Sequence, residues 1–118
     1  MQPESAKLLT DISDAATQIV LYTKGKSRDD FLTEKQLRDA VQWNFAVIGE
    51  ALSKLQKIDP ETARRIGEWN RVIAFRNQLI HGYGVIKNEI TWDIVEKKIP
   101  VLRSDVHSLL SISDSDPC

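Results

Sequence analysis

Val41-Gln42-Trp43-Asn44-Phe45-Ala46-Val47-Ile48-Gly49-Glu50-Ala51-Leu52-Ser53-Lys54-Leu55 decides the fold class. Val41, Phe45, Ile48, Leu52 and Leu55 recur at alternating steps of four and three residues, which places them on one face of a helix. Thr33, with Gln36 after it, forms a capping-box pattern that opens this helix. Upstream, Leu8, Ile12, Ala15, Ile19 and Tyr22 repeat the same period, and Gly25 ends that first helix. Ser27 to Leu32 reads as a short turn or helical step. Downstream, Asp59-Pro60 is an N-cap followed by proline at the first helical position. It starts a short helix from residue 60 to about 67, and a further helix follows from about 70 to 82.

Thr91-Trp92-Asp93 opens a last long helix, whose apolar stripe is Val95, Ile99, Leu102, Val106 and Leu109. Pro100 lies inside that stripe and is expected to kink it, because proline lacks an N–H and its ring crowds the preceding turn. No alternating strand pattern and no internal repeat occur. The expected fold is all-α, an antiparallel four-helix bundle with one or two short extra helices. It forms a single domain over residues 1–110, with a polar, frayed tail over 111–118.

Composition narrows the function. The chain of 118 residues is 42% hydrophobic and 28% charged, as soluble domains are. No apolar run approaches the ~20 residues that span a membrane, and the N-terminus lacks a signal-peptide pattern. The one cysteine, Cys118, has no disulfide partner, which fits a reducing cytoplasm. A net charge of −1 argues against a broad nucleic-acid footprint. The charge is uneven, though. Residues 64–87 hold five cations (Arg64, Arg65, Arg71, Arg76, Lys87) against Glu68, a net +4, whereas residues 105–118 carry −3 from three aspartates.

The basic excess surrounds Arg76-Asn77-Gln78-Leu79-Ile80-His81-Gly82-Tyr83. A cation, a group that titrates near neutrality and a phenol within eight residues are suited to handling a phosphodiester. On an ideal helix Arg76 and His81 lie about 7.5 Å apart along the axis and about 140° apart around it. One helix therefore gathers them poorly, and a second copy of the chain could supply the missing group. Cleaving RNA by attack of the 2′-hydroxyl needs one group to take a proton and another to protonate the leaving 5′-oxygen. A twofold dimer offers two histidines for this, with an Arg from each subunit to balance phosphate charge. No metal-ligand spacing is present, and no cofactor is expected. Each residue also has a plainer role. His81 suits a helix C-terminus, Arg76 could pair with Glu50 or Glu68, Tyr83 could be a core aromatic, and Gly82 and Gly84 could simply stop a helix.

The Arg76-x4-His81-x-Tyr83 spacing resembles the motif of HEPN-domain ribonucleases, HepT-like branch. Tyr22-Thr23-Lys24-Gly25, Ile48-Gly49-Glu50-Ala51, Leu79-Ile80-His81-Gly82-Tyr83 and Thr91-Trp92-Asp93-Ile94-Val95 resemble segments of that family in the same order. The likeness covers roughly residues 8–110. It implies a HEPN-like bundle that dimerises with two motifs facing one cleft. It implies a metal-independent endoribonuclease acting on tRNA or mRNA as the toxin of a type VII-like toxin–antitoxin pair. The implied partner is an MntA-like nucleotidyltransferase antitoxin that transfers AMP from ATP to Tyr83. Carried over by position, Arg76 and His81 are catalytic, and Tyr83 is the modified residue. Asn77, Arg71 and Tyr83 support or position RNA. The segment Gln42-Trp43-Asn44-Phe45 departs from the family in being more aromatic and less basic. The alternatives are a non-catalytic substrate-binding or adaptor subunit of a minimal nucleotidyltransferase, and a plain dimerisation bundle.

Overall fold

A computed structural model of the chain describes residues 1–67, 73–74 and 88–115, with side chains to Ser111. Every regular element within them is helical: α1 (Pro3–Thr23), α2 (Arg28–Thr33), α3 (Lys35–Ile58), α4 (Pro60–Arg64), α5 (Asn88–Lys97) and α6 (Ile99–Ser115). The chain is all-α, as its apolar periods predict. The predicted bundle helix over 70–82 lies outside the described residues.

Helix α1 is the central member, packed against α3 on one side and α6 on the other. It runs antiparallel to α3. Ser5 near its start bonds Asp59 at the far end of α3, while Lys26 just past its end bonds Glu34 at the beginning of α3. Because α1 is covered on two sides, its buried face is centred on Leu9, Ile12, Ala16 and Ile19, each fully buried. This corrects the predicted stripe at its edges. Leu8 is only partly buried, and Tyr22 is 44% exposed. The predicted face of α3 is buried at every position, with Val41, Phe45, Ile48, Leu52 and Leu55 at 0% exposure. Each such side chain contributes about 1.5–3 kcal/mol by leaving water.

The helix ends show where local signals compete. After α1, Gly25 takes a left-handed φ of 73°, which lets the chain reverse without a Cβ penalty. The capping box forms at Ser27 and Asp30, not at Thr33 and Gln36 as the sequence suggested. The Ser27 hydroxyl accepts from Asp30 N at 3.1 Å, and the Asp30 carboxylate accepts from Ser27 N at 2.9 Å. Those bonds hold the Asp30 carboxyl below its usual range. Thr33 instead closes α2, its hydroxyl donating back to Asp29 O at 2.9 Å. Arg38 of α3 satisfies the α2 carbonyls of Phe31 and Leu32 at 3.1 and 2.8 Å. Helix α3 starts at Lys35 with no side-chain cap.

Proline 100 acts as expected and divides the last stripe into α5 and α6. The backbone bonds Lys98 N to Ile94 O and Leu102 N to Lys98 O bracket the break at 2.8 and 2.9 Å. The stripe from Val95 to Leu109 remains buried across it. Helix α5 begins at Asn88, three residues before the expected Thr91, and Thr91 and Trp92 are interior. Trp92 packs on Phe31 of α2 with ring centroids 5.4 Å apart. Helix α6 runs on to Ser115, into the stretch read as tail. Helix α4 ends at Arg64, earlier than predicted, and tightens into i−3 bonds at Arg65 and Ile66.

Asp59 joins three elements. Its carboxylate accepts from Thr62 N at 3.3 Å and from the Thr62 hydroxyl at 2.7 Å, capping α4, and from the buried Ser5 hydroxyl at 2.8 Å. The Thr62 hydroxyl, then Ser5 and the Thr62 amide, hold the Asp59 carboxyl below its usual value. A lowered folded pKa means the stabilisation is complete above the unfolded value of about 3.9 and lost as pH falls through the folded value. Asp59→Ala is expected to destabilise the fold by about 0.5–2 kcal/mol at neutral pH. In thermal melts as a function of pH, the gap between wild type and variant should close only below about pH 4. The Thr91 hydroxyl is buried and has no hydrogen-bond partner among the described residues. Thr91→Val should therefore leave the melting temperature unchanged or raise it, because no bond is lost and a stranded polar group is removed.

Candidate active site

The motif helix predicted from the sequence enters the described structure only through its flanks. Arg71, Arg76, Asn77, His81 and Tyr83 lie outside the described residues. On the N-terminal side, Ile66 is buried in the core, and the Gly67 amide donates to the Asp105 carboxylate of α6 at 3.0 Å. Ile73 is partly buried against the same core. On the C-terminal side the chain resumes as α5 at Asn88. The core thus anchors the chain immediately before the motif and again after it.

The electrostatic setting is described in part. Arg64 and Arg65, at the end of α4, are exposed. They form the described portion of the basic stretch. Arg64 donates from Nε to the Pro60 carbonyl at 3.3 Å. Glu50, weighed above as a surface partner for Arg76, lies 3.6 Å from Lys54 one turn along α3. Among the described residues, no group of three or more His, Cys, Asp or Glu side chains is arranged to hold a metal ion. No helix among them is long and apolar enough to cross a membrane.

The fold also gathers polar groups that the sequence did not single out. His107, the second histidine, lies exposed on α6 one turn beyond Arg103. Arg103 Nε donates to the Thr17 hydroxyl of α1 at 3.2 Å. The four-residue spacing of Arg103 and His107 was the available signal. An arginine and a histidine on a solvated face have no meaning until the opposing helix is known. The aromatic departure in α3 also divides once the fold is in place. Phe45 is fully buried, whereas Trp43 is 71% exposed.

Comparison with known proteins gives a consistent result. The family model described as "Ribonuclease HepT-like" matches residues 12–109, which includes the whole Arg76–Tyr83 motif. A protein of Methanocaldococcus jannaschii named "Gamma-glutamylcyclotransferase and putative RNase MJ0434" is 33% identical over 108 residues, covering 92% of this chain and 48% of that protein. The chain therefore spans about half the length of this relative. A second protein of that organism, "Putative RNase MJ0127", is 35% identical over 92 residues, covering 78% of this chain and 75% of the relative. The "Probable ribonuclease HepT" of Thermococcus cleftensis is 29% identical over 105 residues, covering 86% and 91%. No solved structure matches the chain. With most of its length matched by the family model, and relatives of similar length at this identity, the chain belongs to the ribonuclease HepT-like family.

Proposed function

We propose that this protein is a metal-independent endoribonuclease of the HepT type, acting as the toxin of a toxin–antitoxin pair. The observation that carries the reading is the Arg76-x4-His81-x-Tyr83 spacing inside a chain that matches the ribonuclease HepT-like family over residues 12–109. The active unit is a homodimer in which both motifs face one cleft. One His81 accepts the proton of the RNA 2′-hydroxyl as its oxygen forms a bond to phosphorus. The other His81 gives a proton to the 5′-oxygen as the bond from phosphorus to that oxygen breaks. The products are a 2′,3′-cyclic phosphate and a free 5′-hydroxyl. Arg76 from each subunit stabilises the charge that builds on the phosphoryl oxygens. Asn77 and Arg71 position the RNA backbone.

Tyr83 is the switch. A nucleotidyltransferase partner moves AMP from ATP onto its phenolic oxygen, with loss of pyrophosphate. The product places an anionic phosphate beside Arg76 and His81, where it occupies the cations and repels RNA.

His81→Ala and Arg76→Ala should each lower RNA cleavage by the purified protein by about a hundredfold or more. RNA carrying a 2′-deoxy sugar at the scissile nucleotide should resist wild-type enzyme. Efficient cutting of that substrate, or full activity in both variants, would contradict the mechanism. On co-expression with an MntA-like nucleotidyltransferase, intact-protein mass spectrometry should find one AMP on wild type and none on Tyr83→Phe. An AMP retained by the Phe variant would move the switch to another residue.

A further inference from the structure

Two clefts run along the seam between α1 and the α5–α6 pair. They share Val20 and Pro100 and so join into one groove. The first, of about 570 Å³, is faced by Arg103, Ser104 and His107 from α6 and by Ser13 and Thr17 from α1. The second, of about 460 Å³, carries Lys24 and Lys26 from the turn between α1 and α2 and Arg28 from the start of α2, together with Glu96 of α5. We propose that this groove is a binding track for the phosphodiester backbone of single-stranded RNA, separate from the motif. The proposal rests on the ribonuclease reading and adds where the substrate strand runs.

The chemistry of the lining favours an anion. Among the described residues no carboxylate lines the first cleft; its polar groups are a guanidinium, an imidazole and hydroxyls. The bond from Arg103 Nε to the Thr17 hydroxyl holds the guanidinium across the seam. That bond uses one of five N–H donors and leaves the terminal nitrogens for phosphate. In the second cleft, Lys26 lies 3.0 Å from Glu34 and Arg28 lies 3.9 Å from Asp93, so both are partly neutralised. Lys24 and Arg103 have no carboxylate partner among the described residues. They lie apart along the track, since Arg103 sits at Thr17 and Lys24 follows seven residues later, just past the end of α1.

Seven helical residues span about 10 Å. Consecutive phosphates of one strand can each meet one of the two cations. That spacing favours a polyanion over a mononucleotide. The opposite side of α1 has the reverse character. The groove between α1 and α3 is lined by Asp11, Asp14 and Glu50 against Lys54. It would repel the backbone that the α1–α6 seam attracts. A net charge of −1 is thus compatible with RNA binding, because the two signs are sorted onto opposite flanks of one helix.

The test is binding of a labelled oligouridylate at several salt concentrations, read by fluorescence anisotropy. Lys24→Glu/Arg103→Glu is compared with Lys7→Glu/Lys54→Glu, which makes the same change in net charge on the other flank. All four side chains are exposed, and circular dichroism melts confirm folding; Lys24→Gln/Arg103→Gln serves as a milder pair. The seam pair should weaken binding by roughly tenfold at low salt and flatten the salt slope by roughly 0.7 per lost contact. The control pair should stay within about twofold of wild type. Equal losses in both pairs, or no loss in the seam pair, would overturn the track. Position-dependent binding by a wild-type protein that leaves RNA uncut would instead overturn the ribonuclease reading and leave the track in place.

Discussion

The two-sided burial of α1 is the constraint on which the described structure depends. A helix covered on one side needs a stripe, but one covered by both α3 and α6 needs a wider apolar arc. Leu9, Ile12, Ala16 and Ile19 form the centre of that arc, with Ala15 at its edge. The small residues let the neighbouring helices approach, and the larger ones fill the space between them. The ends of α1 are tied as well, by Ser5 to Asp59 and by Lys26 to Glu34. These bonds set the register of α1 against α3, and through the core they set the frame on which Gly67 and α5 are anchored.

Much of this frame was legible in the sequence. The stripes of α3 and of the α5–α6 pair are long and regular, and each predicted position is buried. Asp59-Pro60 and Pro100 act through covalent geometry and a missing donor, so their effect needs no tertiary context. What could not be read depended on neighbours. Thr33 and Ser27 are both plausible caps, and the choice between them follows from the carbonyl contacts that Arg38 makes across the turn. Tyr22 matches the period of α1 yet is exposed, because the width of the buried face is set by the helices that cover it. Thr91 has a good cap residue's chemistry, yet the packing of Trp92 on Phe31 draws it inside α5.

The candidate site was legible in a different sense. Its residue types and spacing are sequence facts, and family membership follows from the match over residues 12–109. The helical wheel adds a physical demand, since Arg76 and His81 diverge on a single helix and invite a second subunit. The seam of Lys24, Arg103 and His107 had no meaning in the sequence, because Lys24 and the Arg103–His107 pair come from two distant segments that only the packing of α1 against α6 unites. Bulk composition is a poor guide to whether a polyanion can bind one face of the molecule. Net charge sums over faces that a strand of RNA never meets together.

The central claim is that one active site is built from two chains, with the two copies of His81 sharing acid and base duties. The most direct test is a covalently linked dimer carrying His81→Ala in one copy only, assayed for RNA cleavage beside the linked wild type and the doubly substituted dimer. A shared site predicts that the single substitution abolishes activity almost as completely as the double one. Retention of about half the wild-type rate, as for two independent sites each with its own histidine, would contradict the account.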